Sequence, residues 1–191
     1  MKLLCAEYNS ERRMTVGVVG DNALLRNNND FYFPAFTQEL SCVPQLVFRA
    51  CKLGKGISER FSRRYYDAIG VGLRFYADTL EQDLQKLKLP SGLSASFDDS
   101  AAISELSEYA GETTRYALQI DEQVVFEGNS TELPVSVDRF VAKASEYYMI
   151  KIGDFFFCGN PFRYRGLQIN TRIRMYMNDV CRLDFLCEMR K

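Results

Sequence analysis

Short apolar runs, rich in β-branched and aromatic residues, succeed one another along this chain without settling into a strand-helix-strand alternation, and that pattern restricts the fold more than any other feature. Leu3 to Ala6 and Met14 to Val19 read as strands around the polar piece Tyr8 to Arg13. Gln45 to Leu53 reads as a mostly buried strand ended by Gly54-Lys55-Gly56, and Gly70 to Ala77 as another. Tyr116 to Ile120 and Val124 to Glu127 make a hairpin around Asp121-Glu122-Gln123. Phe155 to Cys158 runs into the turn Gly159-Asn160-Pro161, and Leu167 to Met177 with Cys181 to Met189 closes the chain as a pair around Asn178-Asp179. Three helices are predicted: from the cap Ser58 to Asp67, from Asp78 to Lys88, and from the cap Ser136 to Tyr148. Asn27-Asn28-Asn29-Asp30 is a turn cluster, and Ala101 to Gly111 a loop with a short helical turn. Strands outweigh helices in irregular order, which places the chain in the α+β class with a mixed sheet. Its 191 residues make one domain, 1–191.

The chain contains no histidine and no tryptophan. Without an imidazole it cannot run a Ser-His-Asp or Cys-His mechanism, and it lacks the commonest ligand for zinc, copper or haem iron. A formal charge of -1 supplies no long-range field to draw nucleic acid or an anionic membrane. Arg60, Arg63 and Arg64 cluster beside Glu59 as a solvated helix face. Cysteines 5, 42, 51, 158, 181 and 187 form no CxxC pair and mostly fall inside apolar runs, the pattern of reduced, buried thiols in a cytoplasmic protein. No stretch approaches the ~18 apolar residues of a membrane span.

Without imidazole, a hard cation held by carboxylate oxygens is the most accessible site chemistry. Glu81 and Asp83 face different ways on their helix and read as surface acids, and Asp98-Asp99 reads as an Asx turn or a cap. Cys158 is the best-placed nucleophile, but three phenylalanines precede it and favour a structural thiol. Gly70-Val71-Gly72 is half of a dinucleotide fingerprint without the third glycine. Residues alone identify no activity.

The strings Arg64-Tyr65-Tyr66-Asp67-Ala68-Ile69-Gly70-Val71-Gly72, Leu89-Pro90, Ser96-Phe97-Asp98 and Lys151-Ile152-Gly153-Asp154, followed by Cys158-Gly159-Asn160-Pro161, resemble a fumarylacetoacetate hydrolase family domain. Phe33-Pro34-Ala35-Phe36 and Leu53-Gly54-Lys55-Gly56-Ile57-Ser58-Glu59-Arg60 extend the resemblance over nearly the whole chain. It implies a mixed β-sheet roll, a homodimer, and a Mg²⁺ or Mn²⁺ site that chelates a 2-oxo acid for hydrolysis, isomerisation or decarboxylation. It also implies the ligands: a Glu-x-Glu pair on one strand, an Asp on the next, and a lysine nearby.

In the register of the resemblance those positions hold other chemistry. The Glu-x-Glu strand falls on Val43-Pro44-Gln45, the Asp on Arg74 and the lysine on Ala95. Pro44 removes a ladder donor and restricts how its strand pairs. A shifted register offers Asp78 as a single ligand. Replacing anionic ligands by an alkyl group, an amide and a cation leads us to expect no metal here. Three functions remain open. One is a catalytically inactive member, a pseudoenzyme or scaffold forming a homodimer or a heteromer with an active relative. The second is an active hydrolase, isomerase or decarboxylase on a 2-oxo acid such as an acylpyruvate, with a rebuilt pocket in which Arg74 clamps a carboxylate near Cys42 or Cys158. The third is a module that binds a small organic acid through Gln45, Arg74 and Asn160. Arg74 also reads as a structural cation balancing a nearby Asp or Glu.

Overall fold

The computed structural model describes residues 1–9, 11–26 and 28–189. Asn27 of the predicted turn cluster lies outside the described residues. Among the rest the chain runs β1 (Lys2–Tyr8), β2 (Met14–Gly20), β3 (Leu24–Leu25), β4 (Phe31–Phe33), β5 (Leu40–Ala50), α1 (Glu59–Ser62), β6 (Tyr66–Ala77), α2 (Asp78–Lys86), β7 (Ala101–Ile103) and β8 (Ser107–Glu108). It continues through β9 (Arg115–Ile120), β10 (Gln123–Asn129), α3 (Val137–Tyr147), β11 (Phe155–Gly159), β12 (Tyr164–Arg165), β13 (Thr171–Met177) and β14 (Val180–Met189).

These strands form two sheets, an α+β roll. The larger is ordered β2-β1-β11-β5-β6-β7-β3, with β12 also on β5 and β8 also on β6. It is mixed, because β1 pairs β11 and β3 pairs β7 in parallel while the β5–β6 pair is antiparallel. The smaller is ordered β10-β9-β13-β14-β4. Its sequence alternates as a half-buried sheet requires: Leu118, Met175 and Leu183 lie in register on the inner face, while Gln119, Arg174 and Asp184 line the outer one. Strands β5 and β6 are buried on both faces, which explains their continuous apolar runs. One face meets the smaller sheet and α3 in the main core, and the other holds a second cluster that includes Leu3, Val47, Ile103 and Phe157.

Pro44 falls in the gap between the β5 residues paired with β11 and those paired with β12, so β5 tolerates its missing N–H on that edge. The Ser136 side chain accepts from the Arg139 N–H and starts α3, which buries Phe140, Val141 and Ala144 as its spacing predicts. The strand read over Gln45 to Leu53 runs instead from Leu40 to Ala50, because its first residues pair with β6 and β12, and two segments differ in kind. The helix after Ser58 ends at Ser62, gives way to a short turn, and the chain is extended from Tyr66, because Tyr66 and Ala68 pair with Ala50 and Arg49 and that ladder outweighs helical continuation. The segment 101–111 carries two strands in place of a helical turn, since β7 and β8 cover the edge that β6 would otherwise leave open.

Gly70 and Gly72 sit in the middle of β6 and not at a strand-to-helix turn. A Cβ on Gly72 would lie 2.6 Å from the Val47 side chain and 3.0 Å from the Ala102 carbonyl, so the glycine allows close packing across the sheet.

Candidate functional site

The β5–β6 register sets Val43 directly opposite Arg74 and Gln45 opposite Gly72, so alternation puts the Val43, Gln45 and Arg74 side chains on one face of the larger sheet. Arg74 is fully buried. One terminal nitrogen donates to the Glu7 carboxylate on β1 at 3.1 Å, and the other to the Ala95 backbone carbonyl at 2.8 Å. Thus Val43, Arg74 and Ala95 come together, with Ala95 contributing its carbonyl. The Tyr76 hydroxyl donates to the second Glu7 oxygen at 3.2 Å. Burial pulls the Arg74 pKa down, but Cys5, Tyr76 and Glu7 together push it up, and the guanidinium stays charged.

Gln45 and Asn160 line a cleft of about 500 Å³ with Glu7, Tyr76, Arg12 and Arg163. Arg74 does not open into it; its guanidinium turns toward β1 and the turn at 91–95. The buried Gln45 amide oxygen has no hydrogen-bond partner, and Asn160 donates from Nδ2 to the Tyr116 hydroxyl at 3.4 Å. Glycine at 159 lets β11 approach β5 beside Gln45, because a Cβ there would lie 2.8 Å from Gln45 and from the Pro44 carbonyl. Along one wall Arg163 binds Asp78, donates to Glu81 at 2.8 Å and to Ser41 at 2.5 Å, and lies 4.4 Å over the Tyr76 ring. Asp78 is therefore buried in an arginine-serine cage, with Arg165 at 3.4 Å. Arg12 has no ion-pair partner among the described residues.

The acids weighed from sequence do not converge. Glu81 pairs with Arg163, Asp83 with Lys86, and Asp98 accepts from Asn22. Cys42 and Cys158 are buried, and burial pushes both thiols up, away from nucleophilic thiolate. Sequence reasoning missed Glu7, Tyr76 and Arg163. A signal for Glu7 existed: a buried arginine in an apolar strand needs a carboxylate, and Glu7 directly follows the continuous apolar run Leu3 to Ala6 of β1.

No family model matches the sequence, and no curated protein matches it significantly. Among solved structures, a fumarylpyruvate hydrolase from Pseudomonas aeruginosa, in complex with Mn²⁺ and pyruvate, superposes with a TM-score of 0.89 at 18% identity, covering 100% of this chain and 90% of that one. A Yersinia pestis CO92 protein assigned to the fumarylacetoacetate hydrolase family gives 0.87 at 19% identity, covering 97% and 92%. A 5-carboxymethyl-2-hydroxymuconate delta-isomerase from Mycobacterium smegmatis gives 0.84 at 12% identity, covering 100% and 79%. The chain has the fumarylacetoacetate hydrolase fold.

Within that fold, the positions that the sequence resemblance assigns to metal ligands do not fit a divalent cation. Val43 offers only alkyl surface, Gln45 a neutral oxygen and Arg74 a positive charge. The nearest carboxylates, Glu7 and Glu81, are engaged by Arg74 and Arg163. Among the described residues no three His, Cys, Asp or Glu side chains are grouped to hold a metal ion.

Proposed function

We propose that this chain is a non-catalytic protein of the fumarylacetoacetate hydrolase fold, a pseudoenzyme that acts as a scaffold or regulatory subunit. The observation that carries this reading is the Arg74 guanidinium, fully buried opposite Val43 and held by Glu7 and the Ala95 carbonyl. A fixed positive charge there repels a divalent cation and leaves the enolate-stabilising role without a Lewis acid. The scaffold would work as a homodimer or beside an active relative, in a cytoplasmic setting that suits its six free cysteines. Calorimetry with Mn²⁺ and Mg²⁺, together with a turnover assay on fumarylpyruvate and related acylpyruvates, tests the proposal. We expect neither binding nor turnover; a stoichiometric cation at micromolar affinity, or chelator-sensitive turnover, overturns it.

A second reading is that the cleft binds a small organic acid without consuming it. It is favoured by the unpartnered Gln45 amide oxygen, which suits a hydroxyl or protonated acid, next to Arg12 and Asn160. A thermal shift with oxaloacetate or an acylpyruvate, lost in Gln45→Leu and accompanied by no consumption of the acid, supports it. Consumption of the acid would return the chain to the enzymes, with a pocket rebuilt without the metal.

A further inference from the structure

The cleft lies at one end of the β5–β11 strand pair, and the opposite end carries a surface of different chemistry. Beyond Ala50 and Phe155 the two chains part, then meet again at an antiparallel bridge in which the Gly54 and Ile150 N–H groups donate to each other's carbonyls at 3.1 and 2.8 Å. Ile150 is buried, and a Cβ on Gly54 would run into the Tyr65 ring, so this pair faces inward. The flanking residues therefore face outward, with Leu53 across from Lys151 and Met149 across from Lys55. Ile152 follows at the apex of a turn closed by the Asp154 N–H on the Lys151 carbonyl, with Gly153 at φ +84.

Leu53 is 65% exposed, Ile152 71% and Met149 45%. The turn that follows α1 abuts the same loop, since Cys51 donates from its N–H to the Tyr65 carbonyl and from its thiol to the Arg64 carbonyl. That helix adds exposed Phe61, with Arg60 and Arg64 over its ring at 4.5 and 5.0 Å. Single exposed apolar residues are ordinary, but here Leu53, Met149 and Ile152 flank one bridge and its turn, with Phe61 on the neighbouring helix. Lys52, Lys55, Lys151, Arg60 and Arg64 are their exposed neighbours along the chain, and none pairs with a carboxylate among the described residues, although Lys55 donates to the Glu146 carbonyl at 3.0 Å. Of the nearby acids, Glu146 is taken by Lys143, Asp67 by Arg49 and Asp154 by Lys2, which leaves Glu59.

We propose that this face docks on an anionic membrane surface, with Leu53, Ile152 and Phe61 entering the headgroup layer and the five cations meeting lipid phosphates and carboxylates. The chemistry is complementary on both counts, apolar side chains for the acyl boundary and cations without carboxylate partners for negative headgroups. Leu53 and Ile152 stand on connecting segments and Phe61 on a four-residue helix, separate small projections that favour a soft layer over a folded protein. Lysine and arginine stems lie along apolar material while their charges stay in water. The net charge of -1 hides this asymmetry, because over a Debye length of about 8 Å only the local cations count. Docked this way, the cleft at the far end of β11 remains open to solvent. The proposal is independent of what the cleft does.

Flotation of the full chain with vesicles of phosphatidylcholine alone, and of equimolar phosphatidylcholine and phosphatidylserine, tests it. We expect binding to the anionic vesicles only, weakening at high salt. Lys52→Glu with Lys151→Glu should lower partitioning well over tenfold, at about fivefold for each unit of charge. Leu53→Ser with Ile152→Ser should lower it about tenfold. Both pairs are exposed, so thermal midpoints should match the parent, and a matched midpoint separates lost docking from lost folding. Absence of flotation with anionic vesicles, equal flotation with neutral ones, or indifference to both pairs overturns the proposal. A concentration-dependent dimer abolished by Leu53→Ser with Ile152→Ser overturns it too and assigns the face to a second copy of the chain.

Discussion

The Arg74 guanidinium clasps the Ala95 backbone carbonyl at 2.8 Å while its other end meets Glu7 at 3.1 Å, so one buried cation ties β6 to both β1 and the turn at 91–95. Removing one partner of such a pair is not symmetrical. Glu7→Gln leaves a fully buried guanidinium without its counter-charge and should cost about 3 kcal/mol. Arg74→Met removes the cation, keeps the volume, and leaves a Glu7 side chain that is 31% exposed and can hydrate, so its cost should stay near ~1 kcal/mol. Urea denaturation of both single variants and the double variant checks this. Equal losses from the two single changes would contradict it, as would a double variant less stable than Glu7→Gln.

Asp78 offers a second test, at the wall of the cleft. Its buried carboxylate depends on Arg163, whereas Arg165 reaches it at 3.4 Å from a largely exposed position. Arg163→Met should therefore lower stability by about 3 kcal/mol or more, and Arg165→Ala by less than ~1 kcal/mol. Chemical denaturation midpoints distinguish the two, and similar effects would refute the assignment of Arg163 as the main partner.

Burial pushes the thiols of Cys5 and Cys187 up to about 12 from the ordinary 9.0. The folded chain then holds protons that the unfolded chain releases above pH 9.0. Their stabilising contribution is full below that pH and is lost as pH rises from 9.0 toward about 12, at roughly 1.4 kcal/mol per pH unit for each thiol. Urea midpoints at pH 8.5 and 10.5, values chosen at about half a unit below and one and a half above the free thiol, should fall steeply in the parent and less in Cys5→Ala. Thiol titration of the native chain should also find Cys51 and Cys181 reactive and the buried thiols silent until unfolding.

Glycines separate by surroundings in the same way. Gly72→Ala places a methyl against Val47, Phe157 and the Ala102 carbonyl and should cost about 1–3 kcal/mol, whereas Gly92 has nothing within 4 Å and its alanine variant should be neutral within about 0.5 kcal/mol. Thermal unfolding of the two variants side by side measures the contrast.

Elements with a strong internal pattern were legible in the sequence. Met14 to Val19, Phe155 to Cys158 and the helix after Ser136 all appear where their apolar spacing puts them. Those decided by a partner were not: Tyr66 and Ala68 follow a helical start yet join β5, and Ala101 to Ile103 become a strand because β6 has an edge to cover. The candidate site divides along the same line. Counting from the family strings named Val43, Gln45, Arg74 and Ala95, but counting could not show that Arg74 turns away from the cleft that Gln45 and Asn160 line.

By itself the sequence determined what chemistry the chain owns: no imidazole anywhere, an α+β order of short strands, and an alkyl group, an amide and a cation at the positions where the resemblance implies carboxylate ligands. Those are properties of residue identity and of two-residue or 3.6-residue periods, which act within one element. Only the tertiary structure decided which charges meet. Glu7 and Arg74 are 67 residues apart, and Ser41 and Arg163 are 122 apart. They come together because sheet order and register bring distant strands side by side, and burial then makes each cation's pairing obligatory.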